Sequence, residues 1–90
     1  MARVRVIFKG RVQGVSFRFF TEGTAAELGV NGYVKNLPNG SVEALFEGAK
    51  HLVEEAIRIC RQGPPHAHVE DAEITWEPYA GEFRGFSVRH

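Results

Sequence analysis

The sequence has a single cysteine, Cys60, no long apolar run and no net charge. One thiol excludes an intrachain disulfide and any metal site built from several cysteines. No stretch approaches the roughly 20 apolar residues that a membrane-spanning helix needs. The opening Met1-Ala2-Arg3-Val4-Arg5-Val6-Ile7-Phe8-Lys9 alternates charge with apolar side chains. A secretory leader needs an unbroken apolar centre, so none is read there. These absences point to a cytoplasmic, disulfide-free protein without a membrane segment. At 90 residues, 43% hydrophobic and 24% charged, the chain is expected to fold as one domain over 1–90.

The balance of charge conceals an uneven distribution. Arg3, Arg5, Lys9, Arg11 and Arg18 all precede the first acid, Glu22. The first 21 residues thus hold five basic groups and no acid; the remainder holds six basic and eleven acidic groups. Such asymmetry marks either an anionic partner or solvated charges at strand ends and loops.

Periodicity sets out the elements. Val4, Val6 and Phe8 alternate with Arg3, Arg5, Ile7 and Lys9 as a strand with one apolar face. Gly10-Arg11-Val12-Gln13-Gly14 interrupts it as a loop. Phe17, Phe20, Thr24, Ala25 and Leu28 then fall at helical spacing, ended by Gly29, Asn31 and Gly32. Strands are read over 32–37 and 41–47, joined by a Pro38-Asn39-Gly40 turn. Ala49, Leu52, Val53, Ala56, Ile57 and Cys60 form the stripe of a second helix, stopped by Gly63-Pro64-Pro65. Ala72, Ile74 and Trp76 mark a fourth strand, and Phe86 and Val88 a short terminal one. The order β-α-β-β-α-β predicts a ferredoxin-like α+β sandwich, an antiparallel sheet with two helices on one face and a short C-terminal strand.

The loop from Gly10 to Arg18 has the makings of an anion site. Successive backbone N–H groups at a strand-to-helix turn converge into a concavity, and the helix N-terminus adds positive potential. Arg18 in the first helical turn opposes the macrodipole, a cost that an oxyanion facing it would offset. Read by itself, the same loop is more simply a short turn with a solvent-facing arginine, and Asn36 a strand-end residue capping the Pro38-Asn39-Gly40 turn.

Gly10-Arg11-Val12-Gln13-Gly14-Val15-Ser16-Phe17-Arg18 resembles the phosphate loop of the acylphosphatase family, G-x-V-Q-G-V-x-F-R. Gly32-Tyr33-Val34-Lys35-Asn36-Leu37-Pro38-Asn39-Gly40-Ser41-Val42, followed by Gly48, resembles that family's second signature. The two long motifs stand at the expected spacing, and the element order agrees along essentially the whole chain. The resemblance implies that Gln13, Gly14, Val15, Ser16, Phe17 and Arg18 bind phosphate, with Arg18 on its oxygens. It implies that Asn36 holds the attacking water, and that Arg18 and Asn36 are the catalytic pair. The implied reaction is hydrolysis of an acyl phosphate, a small-molecule substrate, to carboxylate and inorganic phosphate, without metal or cofactor, by a monomer.

Other motifs draw less support. His66 and His68 with Glu70 or Asp71 have metal-ligand residue types, but no cysteine joins them and they read as a solvated loop. His51 and His90 have no partner in sequence. Glu70, Asp71, Glu73, Glu77 and Glu82 read as a solvated strand edge. A nucleic-acid module shares this architecture, and Arg84-Gly85-Phe86 echoes an RNA-binding signature on the wrong strand. Glu43 and Glu47 on the third strand and a near-neutral pI of about 6.9 count against it, so no nucleic acid is expected. A third reading, an accessory domain of carbamoyl-transfer machinery, is disfavoured because the sequence contains no further domain.

Overall fold

A computed structural model describes all 90 residues. In chain order the elements are β1 (Ala2–Arg11), α1 (Phe17–Leu28), β2 (Asn31–Asn36), β3 (Val42–Gly48), α2 (Lys50–Gln62), β4 (His68–Glu77) and β5 (Phe86–Arg89). One five-stranded sheet runs β4-β1-β3-β2-β5. β1 pairs antiparallel with both β3 and β4, and β2 antiparallel with β3. The expected ferredoxin-like arrangement is present, with one addition. β5 lies parallel to β2, so the sheet is mixed at that edge.

Alternation dictates which side is buried. Val4, Val6 and Phe8 of β1 stand opposite Phe46, Ala44 and Val42 of β3, and all six are fully buried. Val53, Ala56, Ile57 and Cys60 of α2, with Phe17 and Ala25 of α1, cover that face. Each buried Val, Ile or Phe side chain stabilises the fold by about 1.5–3 kcal/mol. Phe8 and Phe17 meet with ring centroids 5.2 Å apart, which fixes the start of α1 against the sheet. Thr21 and Thr24, buried on α1, return their hydroxyls to the carbonyls of Phe17 and Phe20. No helix is long and apolar enough to cross a membrane.

Two expectations need correction. β4 begins at His68, so of the two histidines read as part of a loop only His66 lies outside the strand. A β-bulge at Lys9/Gly10 lets the pairing run on to Arg11 and His68. Gly10 makes that bulge possible: at its φ of 121° a side chain would meet the His68 carbonyl oxygen at 2.3 Å. Polar edge residues carry no apolar alternation, which is why this extension leaves no periodic signal.

The second correction concerns charge. Arg3 is not a solvated strand cation: its side chain is only 13% exposed on the open face of the sheet. Its guanidinium donates to Glu77 at 3.0 Å, to Glu47 at 3.3 Å and to Glu82. Arg5 pairs with Glu77 at 3.2 Å and Lys9 with Glu73. The acids read as a free strand edge are largely the counter-charges of β1.

Candidate active site

β1, α1 and β2 converge on a cavity of about 250 Å3 lined by Val12, Gly14, Ser16, Phe17, Arg18, Phe19 and Asn36. The turn entering α1 is built from two left-handed residues, Gly14 at φ 73° and Ser16 at φ 62°. Glycine takes that conformation freely, whereas serine is strained in it. Ser16 is the only non-glycine residue of the chain with positive φ, and its side chain makes no capping bond. The first backbone bond of the helix is Phe20 N–H to the Ser16 carbonyl at 3.0 Å. The N–H groups of residues 13–19 therefore have no acceptor within the chain. Consecutive amides left open in this way form a concave donor set for an anion.

Arg18 lies in the first turn of α1 and forms no ion pair with any carboxylate. Its Nη1 donates to the Arg89 carbonyl at 3.2 Å and lies 3.3 Å from His90 Nδ1. Nη1 is thereby anchored at the tail, and Nε and Nη2 remain for a ligand. Asn36 ends β2 on the same sheet face as the buried Val34. Being at the strand end it is exposed, and its amide reaches the cavity instead of the core.

Not every residue of the loop faces the cavity. Gln13 turns away, and its Nε2 donates to the carbonyls of Leu37 and Ser41, both at 2.8 Å. It ties the loop to the β2–β3 hairpin that presents Asn36. Val15 packs against the core. The sequence reading missed three contributors: the Gln13 side chain, the exposed wall residue Phe19 and the Arg89–His90 tail against Arg18. The glutamine was expected to bind phosphate through the loop backbone, with no role given to its side chain, while the tail contact joins residues 71 apart and leaves no local signal.

Cys60 is no nucleophile here. Burial pushes its thiol up to about 11. No group of three or more His, Cys, Asp or Glu side chains is placed to hold a metal ion.

A ferredoxin-like α+β domain with an open amide turn and an unpaired arginine at one helix start defines the class. The acylphosphatase family model matches residues 4–88. An acylphosphatase of Rubrobacter xylanophilus is 56% identical over 87 residues, 97% of this chain and 79% of the relative. The crystal structure of acylphosphatase from Bacillus subtilis superposes with a TM-score of 0.96 at 33% identity, covering 100% of both chains. The structure of T. kodakarensis HypF also contains a matching region, with a TM-score of 0.86 and 32% identity over 12% of its length. This chain belongs to the acylphosphatase family.

Proposed function

We propose that the cavity between β1, α1 and β2 takes the phosphoryl group of an acyl phosphate, and that the chain hydrolyses its carboxyl–phosphate bond. The observation that supports this most is the run of seven open amides, residues 13–19, beside a guanidinium without a carboxylate partner. Gln13 through Arg18 wrap the phosphate by their backbone, and Arg18 binds its oxygens by charge-assisted hydrogen bonds. Asn36 orients the attacking water; an amide does not titrate, so it positions without acting as a base.

The water oxygen bonds to phosphorus while the bond from phosphorus to the acyl oxygen breaks. The electron pair leaves on the carboxylate and the water's proton passes to a phosphate oxygen, giving carboxylate and inorganic phosphate. A leaving carboxylate has a conjugate acid with pKa of about 4, so no general acid is required. Positioning and charge stabilisation on the equatorial oxygens supply the rate. No step assigned to these residues uses a metal or cofactor. Every group comes from one chain, which suits a monomer, and the buried free thiol suits the reducing cytoplasm. The open sheet face, where an RNA-binding domain would stack bases, holds the Arg3–Glu47–Glu77 ion pairs instead.

Phosphate release from acetyl phosphate in the presence of a chelator tests the reading. The wild type is expected to turn over, Arg18→Ala to lose at least about 100-fold in kcat/KM, and ethyl phosphate to react far more slowly. Wild-type activity no higher than that of Arg18→Ala would overturn it.

A further inference from the structure

A second hollow adjoins the first. It holds about 360 Å3 between α1 and Ile59 of α2, and its walls include Phe20, Gly23 and Leu28. Phe19 belongs to both cavities. Its side chain is 65% exposed, the most open large apolar group after Met1. Gly23 sits inside α1, where glycine costs about 1 kcal/mol against alanine. A Cβ placed there would meet nothing within 4 Å, so the glycine leaves the groove floor open.

We infer that this groove receives the acyl group, and that the chain favours acyl phosphates bearing an apolar acyl chain of several carbons. The inference rests on the acyl phosphate reading above. In-line displacement sets the attacking water and the leaving oxygen on opposite sides of phosphorus. The water is held from the β2 wall by Asn36, so the acyl oxygen departs from that wall, and Phe19 stands on the α1 wall. From Phe19 to Leu28 the helix rises about 13 Å, room for a six-carbon chain. The groove has no cation; its one charged wall residue is Glu27, so an acyl group with a second carboxylate gains no partner there.

Steady-state KM values for acetyl and hexanoyl phosphate test this. The wild type is expected to show a KM about tenfold lower for hexanoyl phosphate, from four further methylenes covered on one side. Gly23→Leu fills the groove from a position with free space and a better helix former, outside the phosphate cavity. It is expected to raise the hexanoyl KM about tenfold and the acetyl KM by less than about twofold, removing the wild type's preference between the two. Equal KM values for both substrates in the wild type would overturn the inference, as would an unchanged hexanoyl KM in Gly23→Leu. If neither substrate is hydrolysed, the acyl phosphate reading itself falls.

Discussion

In the proposed reading, four residues divide the work around the cavity. Arg18 brings fixed charge without a carboxylate to quench it, and the Arg89 carbonyl restrains it from one side. Ser16 accepts a strained backbone so that the amides after it stay open. Asn36 contributes a neutral amide from the sheet. Gln13 holds the two walls in register through its bonds to Leu37 and Ser41. Gln13→Ala leaves two carbonyls without that donor, at about 1 kcal/mol each. Urea denaturation should show a loss of about 1–2 kcal/mol, with kcat for acetyl phosphate falling at least about fivefold as Asn36 and the loop lose their mutual placement. Wild-type stability and kcat in this variant would contradict the role.

At the scale of elements, the segment between β4 and β5 depends on Glu47 of β3. This carboxylate is buried on the open face of the sheet and accepts from the Ala80 and Gly81 amides, each at 3.1 Å, and from Arg3. Burial alone would raise its pKa, but the two amides and the guanidinium outweigh it and hold it below the ordinary carboxylate value. A depressed folded pKa contributes stability at pH values above the unfolded carboxylate's, about 4.3, and loses it as pH falls through the folded value. Glu47→Gln should therefore destabilise by about 2–4 kcal/mol at pH 7. Between pH 6 and 3 its urea midpoint should fall less steeply than that of the wild type. Parallel pH profiles would contradict the assignment. The charge alternation of β1 was plain in the sequence, but its counter-charges sit on β3, on β4 and in the β4–β5 segment, and spacing along one strand cannot reveal register between strands. The α2 stripe, by contrast, is a local periodic signal, and Val53, Ala56, Ile57 and Cys60 are buried as read.

Across the whole molecule, the charge asymmetry resolves into ion pairs between the first strand and the later chain. Three of the five cations ahead of Glu22 are absorbed by acids of the later chain, and Arg11 and Arg18 are left without carboxylate partners. Only Arg18 lies at the cavity. Element order, both helices and the phosphate-loop motif were legible in the sequence because each is carried by contiguous residues. The parallel β5 edge, the start of β4 at His68 and the tail against Arg18 arise from contacts between distant segments. The measurement closest to the centre of the account is calorimetric titration of inorganic phosphate into wild type, Arg18→Ala and Asn36→Ala, with acetyl phosphate turnover on the same samples. Arg18→Ala should lose at least about tenfold in phosphate affinity. Asn36→Ala should bind phosphate within about threefold of wild type while its kcat falls about 100-fold or more. Phosphate affinity unchanged by Arg18→Ala would contradict the assignment of this cavity to the phosphoryl group.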